Sequence, residues 1–362
     1  MTQPTSAATP TLPAPDAPGP DAAAPHAPDG DAPVRCRQFR AMATTVTLQV
    51  VDPDPGADRQ LDQAEAVFRR VEEVCSRFDP AADLARANLD PGRWHRVPAL
   101  LAHAVLEAYH AHLRTGGLFD PRVLDTLVSW GYDRTLPFDG RGAAPGPDLP
   151  ATAPSLVPPL TGGPAGGGGL VPPRGWEPQV DRRDDGWHLH LDGQPIDLGG
   201  IGKGLAVRWA AQRLTGAGRG VLVDAGGDCA LAGSGPTWGP WRVGMEDPAG
   251  GAQPLLVLEV SDAAVATSSV SRRHWRVGGV PVHHLVDPRT RRPGGGGLAA
   301  VSVLGTDPAW AEVWTKALFL LGPDGIAARA AADDVAAAWV TGDGAIGTSP
   351  AMDAFVIWRA DA

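Results

Sequence analysis

The first regular pattern along the chain is TTVTLQVVD (Thr44–Asp52), where apolar and polar residues alternate as on a half-buried strand. It is followed by ADRQLDQAEAVFRRVEEVCSRF, with apolar residues three and four apart, the spacing of an amphipathic helix. PALLAHAVLEAYHAHLRTGG predicts a second helix with a glycine stop. Further on, WHLHLDGQPIDL reads as a strand or hairpin and GKGLAVRWAAQRLTGAG as a helix. GVLVDAGGDCALAG, LLVLEVSDAAVATS and AAVSVLG read as strands separated by glycine turns. AWAEVWTKALFLLG predicts a helix, and AAAWV and AFVIW two closing strands. Strands and helices mix without a fixed repeat or a regular βαβ alternation. The expected class is therefore α+β, mixed sheets with packed helices, rather than a doubly wound sheet.

Two stretches carry no such pattern. Residues 1–34 are rich in Ala, Pro and Asp, and residues from about 139 to 175 in Pro and Gly. Neither buries enough apolar surface to order by itself, so both are expected to be disordered, the first a tail and the second an insert in one domain spanning 35–362. The N-terminus has no Lys or Arg before Arg35 and no apolar core, so it does not read as a signal peptide, and no segment is apolar for long enough to span a bilayer. Cys36, Cys75 and Cys229 lie far apart and form no CxxC pair. These features together predict a cytoplasmic protein.

Composition narrows the partners. The chain has 362 residues, 43% of them hydrophobic, and a net charge of −10, which argues against a general nucleic-acid binder. An acidic protein that takes a phosphorylated ligand must concentrate positive potential locally. DLGGIGKG (Asp197–Gly204) is where that would happen. It lacks the first glycine and the Ser/Thr of a nucleotide P-loop, and its GxGxG spacing misses the dinucleotide fingerprint. A glycine turn entering a helix still brings backbone N–H groups close to a ligand. Lys203 adds a point charge, and it is one of only two lysines in the chain, with Lys316. Asp197 could hold a ligand hydroxyl, or the segment could be a plain strand-to-helix turn.

Other stretches leave two readings open. VDAGGD places Asp224 and Asp228 around a glycine pair, either a bulged turn or a second wall of the same pocket. HHLVDPRTRRP holds adjacent histidines; on a strand they face opposite ways, so at most one reaches a site. His284 could be a general base poised near neutrality, or an edge-strand histidine. Glu312 and Thr315 share a helix face and would suit a hard cation such as Mg²⁺, or simply face solvent.

In their order, MATTVTL, SRFDPAADLARAN, GLFDPRV, DLGGIGKGLAVRWAAQRL, VDAGGD, GMEDP, ATSSVSRRHW, HHLVDPRTRRP and AEVWTKALFLLG resemble the ApbE family, the FAD:protein FMN transferases. The likeness covers about Phe39 to Trp358. It implies an α+β, two-lobed fold with the flavin in a cleft, FAD as substrate, Mg²⁺ as cofactor, and transfer of FMN through its phosphate to a threonine of an acceptor flavoprotein, with release of AMP. A non-catalytic FAD-binding protein and an FAD pyrophosphatase giving FMN and AMP are the alternatives. Carried over by position, the resemblance implies flavin or FAD contacts at Met42, Phe78, Leu118, Phe119, Asp120, Asp197, Lys203 and Val286. It implies metal contacts at the Gly200 carbonyl and Thr315, and proton abstraction from the acceptor by His284. The family's metal-binding aspartate, four residues before the threonine, falls on Ala311, with Glu312 beside it as the substitute.

Overall fold

The computed structural model describes residues 30–136, 148–149 and 175–360. The Ala/Pro-rich tail up to residue 29 and nearly all of the 139–175 insert lie outside the described residues. The alternation in β2 (Thr44–Pro53) turns Val46, Leu48 and Val50 fully into the interior. Its partner β1 (Val34–Ala41) joins it through a two-residue turn, with Ala41 opposite Thr44. The two turn residues, Met42 and Ala43, have φ of +51° and +58°, the mirror-image turn that matches strand twist.

Both strands belong to an eight-stranded antiparallel sheet completed by β3 (Gly218–Ala225), β4 (Cys229–Gly233), β5 (Ala263–Ser269), β6 (Leu298–Gly305), β7 (Ala336–Thr341) and β8 (Ile346–Thr348). Spatial order equals chain order, so the sheet is a meander, and everything else is inserted between its strands. One face is covered by helices. α1 (Ala57–Cys75) and α3 (Gly202–Arg213) bury Leu61, Phe68, Val207 and Ala210 against Leu48, Val221 and Val223. α4 (Pro308–Phe319) buries Ala311, Trp314 and Leu318 against Ala266, Val301 and Val303. The other face is covered by a three-stranded sheet of Trp241–Met245, Leu256–Val260 and Val356–Arg359. α2 (Ala99–Arg114) packs with a second small sheet, from His95–Val97, Gly186–His190 and Gln179–Arg183, beyond the helix layer. The fold is α+β, as its pattern predicts.

Two sequence readings are refined and one helix is added. LLVLEVSDAAVATS splits at Ser261–Asp262 into strands of two different sheets, covering both faces of one core. Only the first four residues of WHLHLDGQPIDL are in a strand. A helix at Gly322–Ala332 follows α4 directly, where two glycines and a proline mask the helical spacing.

α4 is the element on which the site depends. Asp307 caps it by accepting from Ala309 N and Trp310 N at 2.9 and 3.1 Å, a cap typically worth ~1 kcal/mol. Ten of its residues are buried, so it is a core helix whose polar side chains must find partners inside. Its first turn meets the first turn of α3 so closely that a Cβ on Gly204 would lie 2.5 Å from the Pro308 carbonyl oxygen. Only glycine permits that approach. Among the described residues, no helix is long and apolar enough to cross a membrane.

Candidate functional site

A cavity of about 1820 Å³ lies at the ends of β2–β5, where they meet the first turns of α3 and the middle of α4. Small-molecule sites typically hold ~300–1,000 Å³, so this one has room for an extended dinucleotide. Its walls are the segments singled out by sequence: the β1–β2 turn, 76–79, 118–121, 197–203, 224–227, 245–250, 267–273 and 284–286, with Glu312 and Lys316 from α4. VDAGGD is therefore a second wall of the pocket. Gly226 sits at φ +70° with Thr44 Oγ1 2.2 Å from where a Cβ would be, so the turn requires glycine there.

Glu312 organises the floor. It is fully buried. Oε2 accepts from Gly204 N at 2.7 Å, satisfying one of the orphan donors of the α3 N-terminus. Oε1 faces Lys203 Nζ at 3.2 Å and Lys316 Nζ at 3.1 Å. The chain's only two lysines thus end on one carboxylate oxygen. Lys203 also pairs with Asp228. Burial pushes the Glu312 carboxyl up, but the ammonium groups of Lys203 and Lys316 and the Gly204 N–H hold it down at about 2. Burial lowers Lys203 to about 8, and Lys316 in the same direction, each against the pull of Glu312. Glu312 is thus a carboxylate and Lys203 mainly an ammonium at neutral pH.

His284 stands on the same wall. Its backbone N donates to the Arg273 carbonyl at 3.3 Å and its Nδ1 lies 3.4 Å from the same oxygen. A carbonyl only accepts, so Nδ1 carries the ring proton and Nε2 is left as the proton acceptor. Burial, with Arg273, His283 and Lys316 nearby, holds the imidazole well below its ordinary pKa, so it is neutral at pH 7. His283 faces the other way, edge-on to the ring of Phe319 at 6.1 Å. Of the two histidines, only His284 lines the cavity.

Phe78 lies at the rim, 37% exposed, 5.5 Å from Tyr132. The Arg77 guanidinium lies against both rings, 4.1 and 4.6 Å from their centroids, and its Nε reaches Asp197 Oδ2 at 3.2 Å. Asp197 Oδ1 accepts from Gly199 N at 2.7 Å and so shapes the glycine turn. Leu118 and Phe119 are buried along the wall, and Val286 is buried beside His284. Met42 shares its rim with Gly202, whose Cβ would lie 3.6 Å from Met42 Cε. Asp120 also lines the cavity, but its carboxylate is taken by a bidentate pair with the buried Arg122, at 2.8 and 2.6 Å.

Thr315 is the exception. It has no exposure and does not line the cavity; its Oγ1 donates to the Glu312 carbonyl and bonds Ser268 Oγ, both at 2.7 Å. The residue one position later, Lys316, faces the cavity instead. The four-residue spacing assigned to a metal aspartate and threonine is thus kept by Glu312 and Lys316, and its second member is an ammonium. Gly200 lines the cavity with Lys316 Cε 3.8 Å from where its Cβ would be, so the lysine stem stands beside the backbone expected to reach a metal. These residues do not fit Mg²⁺. The one carboxylate already serves three donors, the hydroxyl is turned away, and a cationic side chain stands where a ligand is needed. Among the described residues, no group of three His, Cys, Asp or Glu could hold a metal ion.

Sequence reading missed Arg77, Arg122 and Arg273, which the arginine-rich composition hides. It also missed Lys316, although the rarity of lysine and its spacing of four from Glu312 were visible signals.

With this geometry, the comparisons with known proteins are specific. The sequence model of the ApbE family matches residues 42–339, most of the chain. The chain belongs to the ApbE family. An FAD:protein FMN transferase of Rhodobacter capsulatus is 30% identical over 317 residues, 85% of this chain and 56% of that protein. One from Treponema pallidum (strain Nichols) is 28% identical over 314 residues, 78% of this chain and 77% of that protein. The match to the first of these spans little more than half the relative's length. The ApbE protein of Thermotoga maritima shares the fold with a TM-score of 0.70 at 23% identity, over 89% of this chain and 99% of its own. The Pseudomonas stutzeri flavinyl transferase ApbE, apo form, gives 0.69 at 21% identity, over 91% of this chain and 99% of its own.

Proposed function

We propose that this ApbE-family chain is an FAD:protein FMN transferase, cleaving FAD and attaching FMN through its phosphate to a threonine hydroxyl of an acceptor flavoprotein. The observation that carries the reading is the convergence of Lys203, Lys316 and His284 on one cavity with an aromatic rim. The ammonium groups and Arg273 are positive charge for the FAD diphosphate in an otherwise acidic protein. Phe78 and Tyr132 offer a face for the isoalloxazine. The names of the curated relatives support the same activity.

In the transfer step, the acceptor hydroxyl oxygen bonds to the phosphorus that bears the ribityl chain. The bridging P–O bond breaks, its electron pair leaves with AMP, and the hydroxyl proton passes to His284 Nε2. A neutral imidazole held by the Arg273 carbonyl is in the correct form to accept it. Lys203 and Lys316 stay protonated and balance the charge that builds on the phosphate oxygens. The three cysteines are unpaired, which supports a reducing, cytoplasmic setting.

The test is to incubate purified protein with FAD and a threonine-bearing acceptor domain and follow the FMN adduct by mass. His284→Ala is expected to lower adduct formation by ~10²-fold or more while changing the FAD dissociation constant less than about threefold. Equal loss of both removes His284 from the chemistry. FMN and AMP without adduct identify a pyrophosphatase, and bound FAD with no AMP a flavin binder.

A further inference from the structure

The site departs from the metal chemistry that its family implies, and the departure is built from this chain's own residues. We infer that Lys316, paired through Glu312 with Lys203, takes the place of a divalent cation at the diphosphate of the flavin ligand, so that this chain binds FAD without a metal. The inference rests on the transferase reading for the identity of the ligand.

Four observations carry it. Both lysines of a chain that otherwise uses arginine converge on Glu312 Oε1, at 3.2 and 3.1 Å. Lys203 is already held by two carboxylates, Asp228 and Glu312, and neutralises them in part. Among the described residues Lys316 pairs with Glu312 alone, which it shares, so its charge is the one left for the cavity. The Arg273 guanidinium lines the same wall and makes no ion pair among the described residues.

A divalent ion has no comparable place at Glu312. The Glu312 oxygens are taken by Gly204 N–H and two ammonium groups, and an added double positive charge would stand beside both lysines. An ammonium, by contrast, is a compact charge with three N–H donors, suited to phosphate oxygens. The Lys316 Cε lies 3.8 Å from where a Cβ on Gly200 would be, and its Nζ is held by Glu312 rather than recruited from solution.

The experiment is calorimetric titration of FAD into the full chain, once after dialysis against EDTA and once with Mg²⁺, at equal ionic strength. The two dissociation constants are expected to agree within about twofold. Lys316→Thr and Lys316→Gln, checked for folding by thermal melting, are each expected to weaken binding about tenfold or more in EDTA. Wild-type affinity that falls tenfold in EDTA and returns with Mg²⁺ overturns the inference and leaves the transferase reading standing. Folded variants that bind as wild type in EDTA also overturn it. No FAD binding under either condition overturns the transferase reading, and the inference with it. If neither variant folds, the wild-type comparison decides alone.

Discussion

The amide of Gly204 donates to Glu312 Oε2 at 2.7 Å across the junction of α3 and α4. A helix start needs acceptors for its first N–H groups, and here a core carboxylate supplies one while its other oxygen holds two ammonium groups. The same residue therefore closes the fold and sets the charge of the site. Glu312→Ala would leave Lys203 and Lys316 facing each other without it and the Gly204 N–H unsatisfied. The expected loss is about 3–5 kcal/mol in urea denaturation. Glu312→Gln keeps the shape and an acceptor for Gly204 and is expected to lose less. A Glu312→Ala protein within 1 kcal/mol of wild type would show that the cluster is not structural.

Most of the frame is legible before any coordinates, because periodicity records burial. β2 and α1 bury the residues their spacing marks, and the glycine turns fall where strands end. The site is legible only as a set of segments. That DLGGIGKG, VDAGGD and HHLVDP share one cavity follows from a sheet meander with long insertions, which no local pattern encodes. On α4 the sequence reading is one position out. On a helix buried on nearly all sides, spacing does not say which polar residue faces the cavity, and Thr315 turns its hydroxyl to Glu312 and Ser268 while Lys316 lines the cavity.

The β1–β2 turn carries a correctable strain. Ala43 holds φ +58°, a left-handed conformation that costs an L-residue with a Cβ about 1–2 kcal/mol. Glycine removes that cost but raises the entropy of the unfolded chain, so Ala43→Gly is expected to stabilise by about 0.5–1 kcal/mol net. A chemical-denaturation midpoint unchanged or lowered in the variant would contradict the turn geometry.

At the rim, Phe78 is more than a third exposed while its ring backs onto the Arg77 guanidinium at 4.1 Å. An aromatic ring left at the mouth of a cavity gains most by stacking on a planar ligand. Phe78→Ala is expected to weaken FAD binding about 2–10-fold, from a stacking contribution of ~0.5–1.5 kcal/mol, with little change in melting temperature. Quenching of flavin fluorescence on titration reads the affinity directly. An unchanged dissociation constant would place the isoalloxazine elsewhere.

Stability should also report the half-buried histidine that the site does not use. Burial and the neighbouring His274 push His283 down to about 4, below its ordinary value of 6.5. For a base whose folded pKa is depressed, the unfolded chain binds the proton more readily, so the contribution is complete above pH 6.5 and is lost as pH falls toward 4. Allowing for partial exposure of the ring, the loss is about 2 kcal/mol between those limits. His284 shifts the same way and adds to the slope. His283→Leu keeps an apolar contact for Phe319 and removes one of the two titrating rings, so its stability should fall less between pH 7.5 and pH 4.5 than that of the wild type. Urea unfolding at the two pH values measures the difference. A slope as steep as the wild type would assign the acid sensitivity to His284 and to groups outside this hairpin.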